Sequence, residues 1–182
     1  SLRSRGLGDV YKRQALFGAL GVIAGSQATM NNFIWGNDTI QNYETICGGT
    51  GAGPNFHGTS AIQTHMTNTR STDPEVLETR FPVRLEEFSI RENSGGKGKF
   101  NGGDGVTRKL RFLEPMTVTT LCSHRRVKPF GLNGGSPGDC GKEWLERTDG
   151  KILNLNGNDS CEVEPNDLFV MQTPGGGGFG EK

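Results

Sequence analysis

The alternation of apolar and polar residues predicts β-strands through the second half of the chain. From Phe81 to Leu85 the apolar residues recur with a period of two, and the phase then shifts so that Phe88 and Ile90 continue the apolar face. Such a shift predicts a strand with a bulge near Glu86-Glu87, or two successive strands.

Further strands follow from the same pattern. Val106–Phe112 alternates in the same way, except that Arg108 interrupts the apolar face, and Met116–Leu121 predicts the next strand. Two hairpins are predicted, one over Glu143–Leu155 with its turn at Asp149-Gly150 and one over Glu162–Thr173 with its turn at Pro165–Asp167.

Helical signals are fewer. Ala15–Ala24 is rich in alanine and leucine and predicts one buried helix of about three turns, too short to cross a bilayer. Asp73 can cap a second helix that begins at Pro74, with Glu75 completing a capping box, and Phe81-Pro82 ends it. We therefore expect a β-dominated α+β fold, with bent antiparallel sheets, an N-terminal helix and a short helix near residues 74–80.

Glycine is over-represented. It supplies 29 of 182 residues, about 16%, against a usual share of about 7%. Most lie in four clusters, Gly48–Gly58, Gly95–Gly105, Gly131–Gly141 and Gly175–Gly180. Because these clusters separate apolar runs, they predict sharp corners and close approach of backbones, not flexible linkers.

Charge and cysteine usage exclude several classes of function. Twenty basic residues balance 20 acidic ones, so we expect neither nucleic acid nor a membrane as partner. The four cysteines form no C-x-x-C pair, which argues against a structural zinc site. Their even number permits disulfides, but reduced thiols in a cytoplasmic protein are the preferred interpretation.

The first fourteen residues differ from the rest. Ser1–Gln14 lacks an initiator Met and an apolar period and is basic, and with Ala15–Gly25 it imitates a signal peptide. The apolar run continues directly into polar sequence, which argues against cleavage. We expect residues 1–14 to be a non-native or misassembled leader and residues 15–182 to be part of a longer protein.

The segment Cys47–Arg70 carries the strongest functional signal. Its glycine loop, Gly48–Pro54, lacks the lysine and hydroxyl residue of a phosphate-binding loop. The polar run that follows holds the candidate substrate-binding residues Thr64, Thr67, Asn68 and Arg70, together with His65. His65 is the candidate catalytic acid–base, because imidazole titrates near neutrality. The alternative is a histidine hydrogen-bonded within a loop that anchors the following helix.

Other motifs carry weaker signals. Cys122 lies two residues from His124, although catalytic Cys–His pairs are usually assembled in space. Arg125 and Arg126 suit an anionic ligand, a facing subunit or a solvated strand end. The Asn31-Asn32 pair suits a backbone turn better than a ligand site. The glycine segment at 94–100 is adequately explained as a turn. The C-terminal TPGGGGFG permits a backbone path close to a ligand or partner, or a plain terminal turn.

Taken together, these segments resemble the hydantoinase B / 5-oxoprolinase family from Ala15 to Gly180. The matching motifs are Ser26–Asn32, Tyr43–Gly49, Thr64–Thr69, Thr72–Glu78, Arg80–Arg84, Ser94–Gly96, Gly102–Gly105, Pro129–Leu132 and Thr173–Gly180. Ala28 departs from the glycine usual in the family, and Gln63 stands where a histidine or similar polar group is frequent. Tyr43–Gly49 and Ser123–Val127 look most like ATP-dependent 5-oxoprolinases.

The resemblance implies a function for the longer protein. It implies ATP-dependent hydrolysis of a cyclic amide, 5-oxo-L-proline to L-glutamate, within glutathione metabolism, with residues 15–182 forming the C-terminal part of the hydantoinase B domain. ATP and Mg²⁺ would be bound by a hydantoinase A-like domain or subunit, and a divalent metal by ligands upstream of this segment. The resemblance also implies a homo-oligomer, and the segment alone would be inactive.

Three alternatives stay open at this point. The chain could belong to an N-methylhydantoinase-type subunit or to an acetone or acetophenone carboxylase subunit, which share the family's features. It could also be a non-catalytic scaffold that completes a partner's site.

Overall fold

The computed structural model describes residues 7–65, 67 and 69–182. Within those residues the chain forms two helices and nine strands: α1 Leu7–Ala19, β1 Asn32–Gly36, β2 Gln41–Thr45, α2 Pro74–Arg80, β3 Val83–Arg91, β4 Gly105–Phe112, β5 Met116–Leu121, β6 Lys142–Glu146, β7 Ile152–Leu155, β8 Asn158–Val163 and β9 Leu168–Gln172. No helix in this part of the chain is long and apolar enough to cross a bilayer.

The strands form two antiparallel sheets that share one core. One has the order β2-β1-β5-β8 and the other the order β3-β4-β9-β6-β7. Aromatic rings join them: Phe33 stacks on Phe169 at 5.0 Å between centroids, and Trp35 meets Phe112 edge-on at 5.8 Å. The predicted β-dominated α+β fold with antiparallel sheets is confirmed.

Several local predictions are also confirmed. Helix α2 begins at Pro74, and Asp73 caps it by accepting a hydrogen bond from the Glu75 amide at 3.0 Å. Strand β3 shifts its register against β4 between Leu85 and Glu87, which is the predicted bulge. The β6–β7 hairpin turns at Gly150, whose φ is +85°. Glycine adopts this conformation readily because it has no Cβ atom.

The N-terminal helix differs from its prediction. A buried helix was expected over Ala15–Ala24, but the helix runs from Leu7 to Ala19 and is largely exposed, with Leu16 at 56%. Gly21 has φ +66°, and the Val22 amide donates to the Phe17 carbonyl at 3.1 Å, as in a Schellman motif. The apolar residues beyond Ala19 therefore continue as a turn. The proposed status of residues 1–14 remains a prediction, and residues 1–6 lie outside the described part.

The predicted hairpin over Glu162–Thr173 is wrong. Strand β8 pairs with β5 in one sheet, whereas β9 pairs with β4 and β6 in the other. The turn between them is a corner that carries the chain from one sheet to the other. Asp167 stabilises it by accepting hydrogen bonds from the Glu164 amide at 2.8 Å and from Arg147 at 2.6 Å.

The four glycine clusters pack on one another, backbone against backbone. A Cβ at Gly49 would lie 2.0 Å from the Gly103 carbonyl oxygen, and one at Gly176 would lie 1.8 Å from the Thr50 oxygen. The Gly49 amide donates to the Pro174 carbonyl at 3.0 Å, and the Gly176 amide to Gly103 at 2.8 Å. The prediction of close backbone approach is confirmed, and these contacts form a closely packed layer that we call the glycine layer.

Candidate functional site

A cleft opens where the polar segment 63–71 leaves the glycine layer. Gly48 and Ile62 exchange backbone hydrogen bonds of 3.2 and 2.9 Å, so the glycine loop holds the start of the segment in place. The cleft has a volume of about 510 Å³ and is lined by Cys47, Ala61, Ile62, Gln63, His65, Thr67, Thr69, Ser71 and Phe88. This size suits a small ring, since ligand pockets usually enclose about 300–1,000 Å³.

His65 lies in the wall of this cleft. Its φ of +56° is left-handed, a conformation that histidine adopts more often than most residues with a side chain. Burial, followed by the positive charge of Arg13, lowers the pKa of His65 below its ordinary value. The buried Nε2 atom has no hydrogen-bond partner within the described residues. The imidazole is therefore neutral near pH 7 and able to accept a proton.

Two threonine hydroxyls beside His65 also lack partners. Thr64 and Thr67 are buried, and a turn joins them through the Thr67 amide and the Thr64 carbonyl at 3.2 Å. Neither Oγ1 atom finds a hydrogen-bond partner in the described part of the chain. Because an unpaired buried polar group is costly, these hydroxyls are available to a ligand.

The remaining sequence candidates are placed differently. Arg70 is exposed and does not line the cleft. Asn68 lies outside the described residues, as does Met66. The structure thus brings His65 and Thr67 into one cleft, whereas Thr64 is buried and does not line it.

Other residues that line the cleft were not among the site residues predicted from the sequence. The Gln63 amide donates to the Thr45 carbonyl at 2.8 Å, while its own oxygen is unpartnered among the described residues. Phe88 gives an aromatic wall and is 42% exposed. Burial raises the pKa of the Cys47 thiol, so this cysteine is protonated at neutral pH and a poor nucleophile. Phe88 follows the register shift between Leu85 and Glu87 in β3 and lines the cleft.

The Cys122–Arg126 stretch lines a second cavity, of about 850 Å³. Arg125 is hydrogen-bonded to other residues of the chain. Its Nε atom donates to Glu143 at 2.7 Å, and its Nη1 atom donates to Asn31 Oδ1 at 3.0 Å and to the Ser123 carbonyl at 2.7 Å. Burial raises the pKa of the Cys122 thiol to about 12. This cluster is a satisfied structural network, without an activated thiol.

Asn31 is the centre of the same network. It is fully buried, and its Nδ2 donates to Gln27 Oε1 at 2.7 Å and to the Ile46 carbonyl at 3.0 Å. Its φ of +45° and that of Ala28, +41°, turn the chain into β1. The conformation at Ala28 is one that glycine adopts more readily, which matches the departure noted at this position.

Within the described part of the chain, no group of three or more His, Cys, Asp or Glu residues lies close enough to hold a metal ion. All four cysteines are free thiols.

The fold is that of a β-rich domain in which a layer of packed glycines lies beside a cleft of about 510 Å³. The sequence matches the family described as Hydantoinase B/oxoprolinase over residues 11–182, and the chain belongs to that family.

Three similar proteins illustrate the relationship. The chain is 48% identical to a 5-oxoprolinase of Dictyostelium discoideum over 181 residues, which is 100% of this chain and 14% of that protein. The crystal structure of an ATP-dependent caprolactamase from Pseudomonas jessenii matches 93% of this chain and 32% of its own, at 24% identity and a TM-score of 0.76. A nucleotide-free acetone carboxylase structure matches 93% of this chain and 28% of its own, at 18% identity and a TM-score of 0.71. Both structural similarities show the fold alone.

Proposed function

We propose that the protein to which this chain belongs hydrolyses 5-oxo-L-proline to L-glutamate at the expense of ATP. The chain would be the C-terminal part of its hydrolysing half. The observation that supports this choice is the 48% identity to a 5-oxoprolinase across the whole chain. The similarities to a caprolactamase and an acetone carboxylase are weaker in sequence, at 24% and 18% identity.

The chemistry explains why ATP is needed. A lactam carbonyl is a poor electrophile, and phosphorylation of its oxygen activates the carbon toward water. In this proposal ATP and Mg²⁺ are bound by a hydantoinase A-like domain or subunit. Any divalent metal would take its ligands upstream of this segment, so no step is assigned to one here.

His65 has the properties that the hydrolytic step requires. Water adds to the ring carbon that bears the phosphorylated oxygen, and a proton of this water passes to the neutral Nε2 atom of His65. The protonated imidazole then returns the proton to the ring nitrogen as the carbon–nitrogen bond breaks. A second water hydrolyses the resulting acyl phosphate to carboxylate and phosphate.

The neighbouring polar residues would hold the substrate. Thr64 and Thr67 offer hydroxyls that no described group uses, and these can bind the polar atoms of a small ring. Arg70, exposed beside the cleft, can attract the substrate carboxylate from solvent. Asn68 is proposed as a further substrate contact because its side-chain amide can both donate and accept hydrogen bonds.

The compartment and the assembly complete the proposal. The free cysteines fit the reducing cytoplasm, where we place the protein. We expect it to act as a homo-oligomer, with the hydantoinase A-like part fused or bound as a subunit.

The test is substrate-dependent product release by the full-length enzyme. With ATP present, 5-oxo-L-proline should yield glutamate and phosphate, whereas caprolactam and hydantoin should yield little product. Turnover of hydantoin without glutamate release would assign the N-methylhydantoinase alternative. ATP-dependent consumption of acetone with bicarbonate would assign the carboxylase alternative, and absence of any turnover would favour the scaffold.

A further inference from the structure

A buried ion pair joins the two sheets behind the cleft. Arg108 of β4 donates from Nη2 to Glu44 Oε2 of β2 at 2.8 Å, and the two side chains are 1% and 4% exposed. Replacing a buried ion pair by apolar residues of similar volume is often neutral or stabilising. Stability alone therefore does not explain a charged pair at this position.

Glu44 connects the pair to the segment that carries His65. Its Oε1 atom accepts a hydrogen bond from the Thr72 amide at 3.3 Å, at the end of that segment. The next residue, Thr45, holds the segment at two further points, because its carbonyl accepts from Gln63 and its hydroxyl contacts the Thr69 hydroxyl. The end of β2 thus fixes the segment on both sides of His65.

Arg108 also supports the opposite wall of the cleft. Its guanidinium carbon lies 5.1 Å from the centroid of the Phe88 ring, which lines the cleft. A guanidinium over an aromatic face is attracted to it, so the position of the ring depends on that of Arg108. One side chain therefore touches both the wall at Phe88 and, through Glu44, the segment at Thr72.

The hydrogen bonding of Arg108 is incomplete. Within the described residues its buried Nε and Nη1 atoms have no partner. The other buried arginine of a Glu pair, Arg125, is 8% exposed and uses Nε, Nη1 and Nη2 as donors. Arg108 therefore makes fewer hydrogen bonds to the described residues than Arg125 does, and a buried polar group of this kind calls for an explanation other than stability.

We propose that Arg108 is a positioning residue, which through Glu44 holds the His65 segment and Phe88 in the geometry that hydrolysis needs. This role of Arg108 rests on the proposed function in one respect, the catalytic role of His65. The anchoring of the segment can be measured without substrate.

The experiment uses the full-length enzyme with Arg108→Met, Arg108→Lys and Glu44→Gln. A displacement of about 1 Å at a reacting group can cost about 100-fold, so Arg108→Met should lower kcat about 100-fold and change KM less than threefold. Arg108→Lys keeps the positive charge but lacks the planar guanidinium group, so its kcat should lie between those of Arg108→Met and wild type. Glu44→Gln should resemble Arg108→Met. Arg125→Lys is the matched control and should change thermal stability without changing kcat.

Two further readouts separate positioning from stability. Hydrogen exchange of the peptide covering residues 63–72 should accelerate in Arg108→Met and not in Arg125→Lys. The double variant Arg108→Met/His65→Ala should be no slower than His65→Ala alone, because residues that act through one group are not additive. Wild-type exchange and wild-type kcat in a folded Arg108→Met or Arg108→Lys enzyme would overturn the proposal, as would additive losses in the double variant.

The outcome is independent of substrate identity. If the wild-type enzyme releases no glutamate from 5-oxoproline, the proposed function fails, and the kinetic arms use whichever substrate it turns over. Accelerated exchange in Arg108→Met would still support anchoring by Arg108. Glutamate release by wild type with unaltered exchange and kcat in Arg108→Met would overturn the anchoring alone.

Discussion

The ring of Phe17 in α1 packs against the imidazole of His65, with 5.9 Å between the ring centroids. This contact removes water from one side of the imidazole. It contributes to the burial that lowers the pKa of His65 below its ordinary value of 6.5. Helix α1 therefore helps to set the protonation state of the candidate base.

The first prediction concerns this pH dependence. A general base with a lowered pKa stays neutral until the pH falls through that pKa, so the midpoint of the acid limb of kcat/KM should lie below pH 6.5. Phe17→Ala re-exposes the imidazole, and the decline should then begin at higher pH. The pH profile of kcat/KM for full-length wild type and variant measures the shift.

Leu16 provides the control for that experiment. It lies on the same helix, is 56% exposed, and Leu16→Ala should leave the profile unchanged. If kcat/KM falls at the same pH in Phe17→Ala and in wild type, this fall does not arise from protonation of His65.

The second prediction separates ligand binding from stability at Thr67. Its buried hydroxyl has no partner in the described residues, so Thr67→Val removes a polar group that folding leaves unsatisfied. The free energy of unfolding should be unchanged or slightly higher, while KM for the substrate rises about tenfold, the equivalent of one lost hydrogen bond. Steady-state kinetics and chemical denaturation measure the two effects. A loss of stability with unaltered KM would identify the hydroxyl as structural.

The third prediction tests the glycine layer. Gly49→Ala places a Cβ 2.0 Å from the Gly103 carbonyl oxygen, and the backbone there has no room to move. Overpacking of this kind should lower the free energy of unfolding by about 3 kcal/mol. Gly150→Asn is the control, because nothing lies within 4 Å of that position and asparagine tolerates a positive φ. Equal denaturation midpoints for the two variants would contradict the account of the layer.

Local sequence determined much of this fold. The period-two pattern located β3, β4, β5 and the β6–β7 hairpin, because alternation reflects one buried face. The cap at Asp73 located α2 for the same local reason. The corner at Asp167 was missed because its strands join different sheets, and strand pairing depends on partners remote in sequence. The end of α1 depends on a positive φ at Gly21, which the pattern of apolar residues does not indicate.

The candidate site was predictable in part. The polar residues after the glycine loop drew attention to His65 and Thr67, which share the cleft. The interruption of the apolar face at Arg108 was visible, but its meaning was not, since its partner Glu44 lies 64 residues away. Phe17 gave no signal, because a helical phenylalanine is ordinarily a core residue.

The central claim is that His65 is the acid–base group of a 5-oxoprolinase, and one comparison tests it most directly. ATP-dependent glutamate release from 5-oxo-L-proline is measured for full-length wild type, His65→Ala and His57→Ala, the last exposed and bound to the Asn101 amide at 2.9 Å. The account predicts a loss of about 100-fold or more for His65→Ala, the range typical of an acid–base group, and wild-type turnover for His57→Ala. Wild-type turnover by a folded His65→Ala enzyme would contradict it.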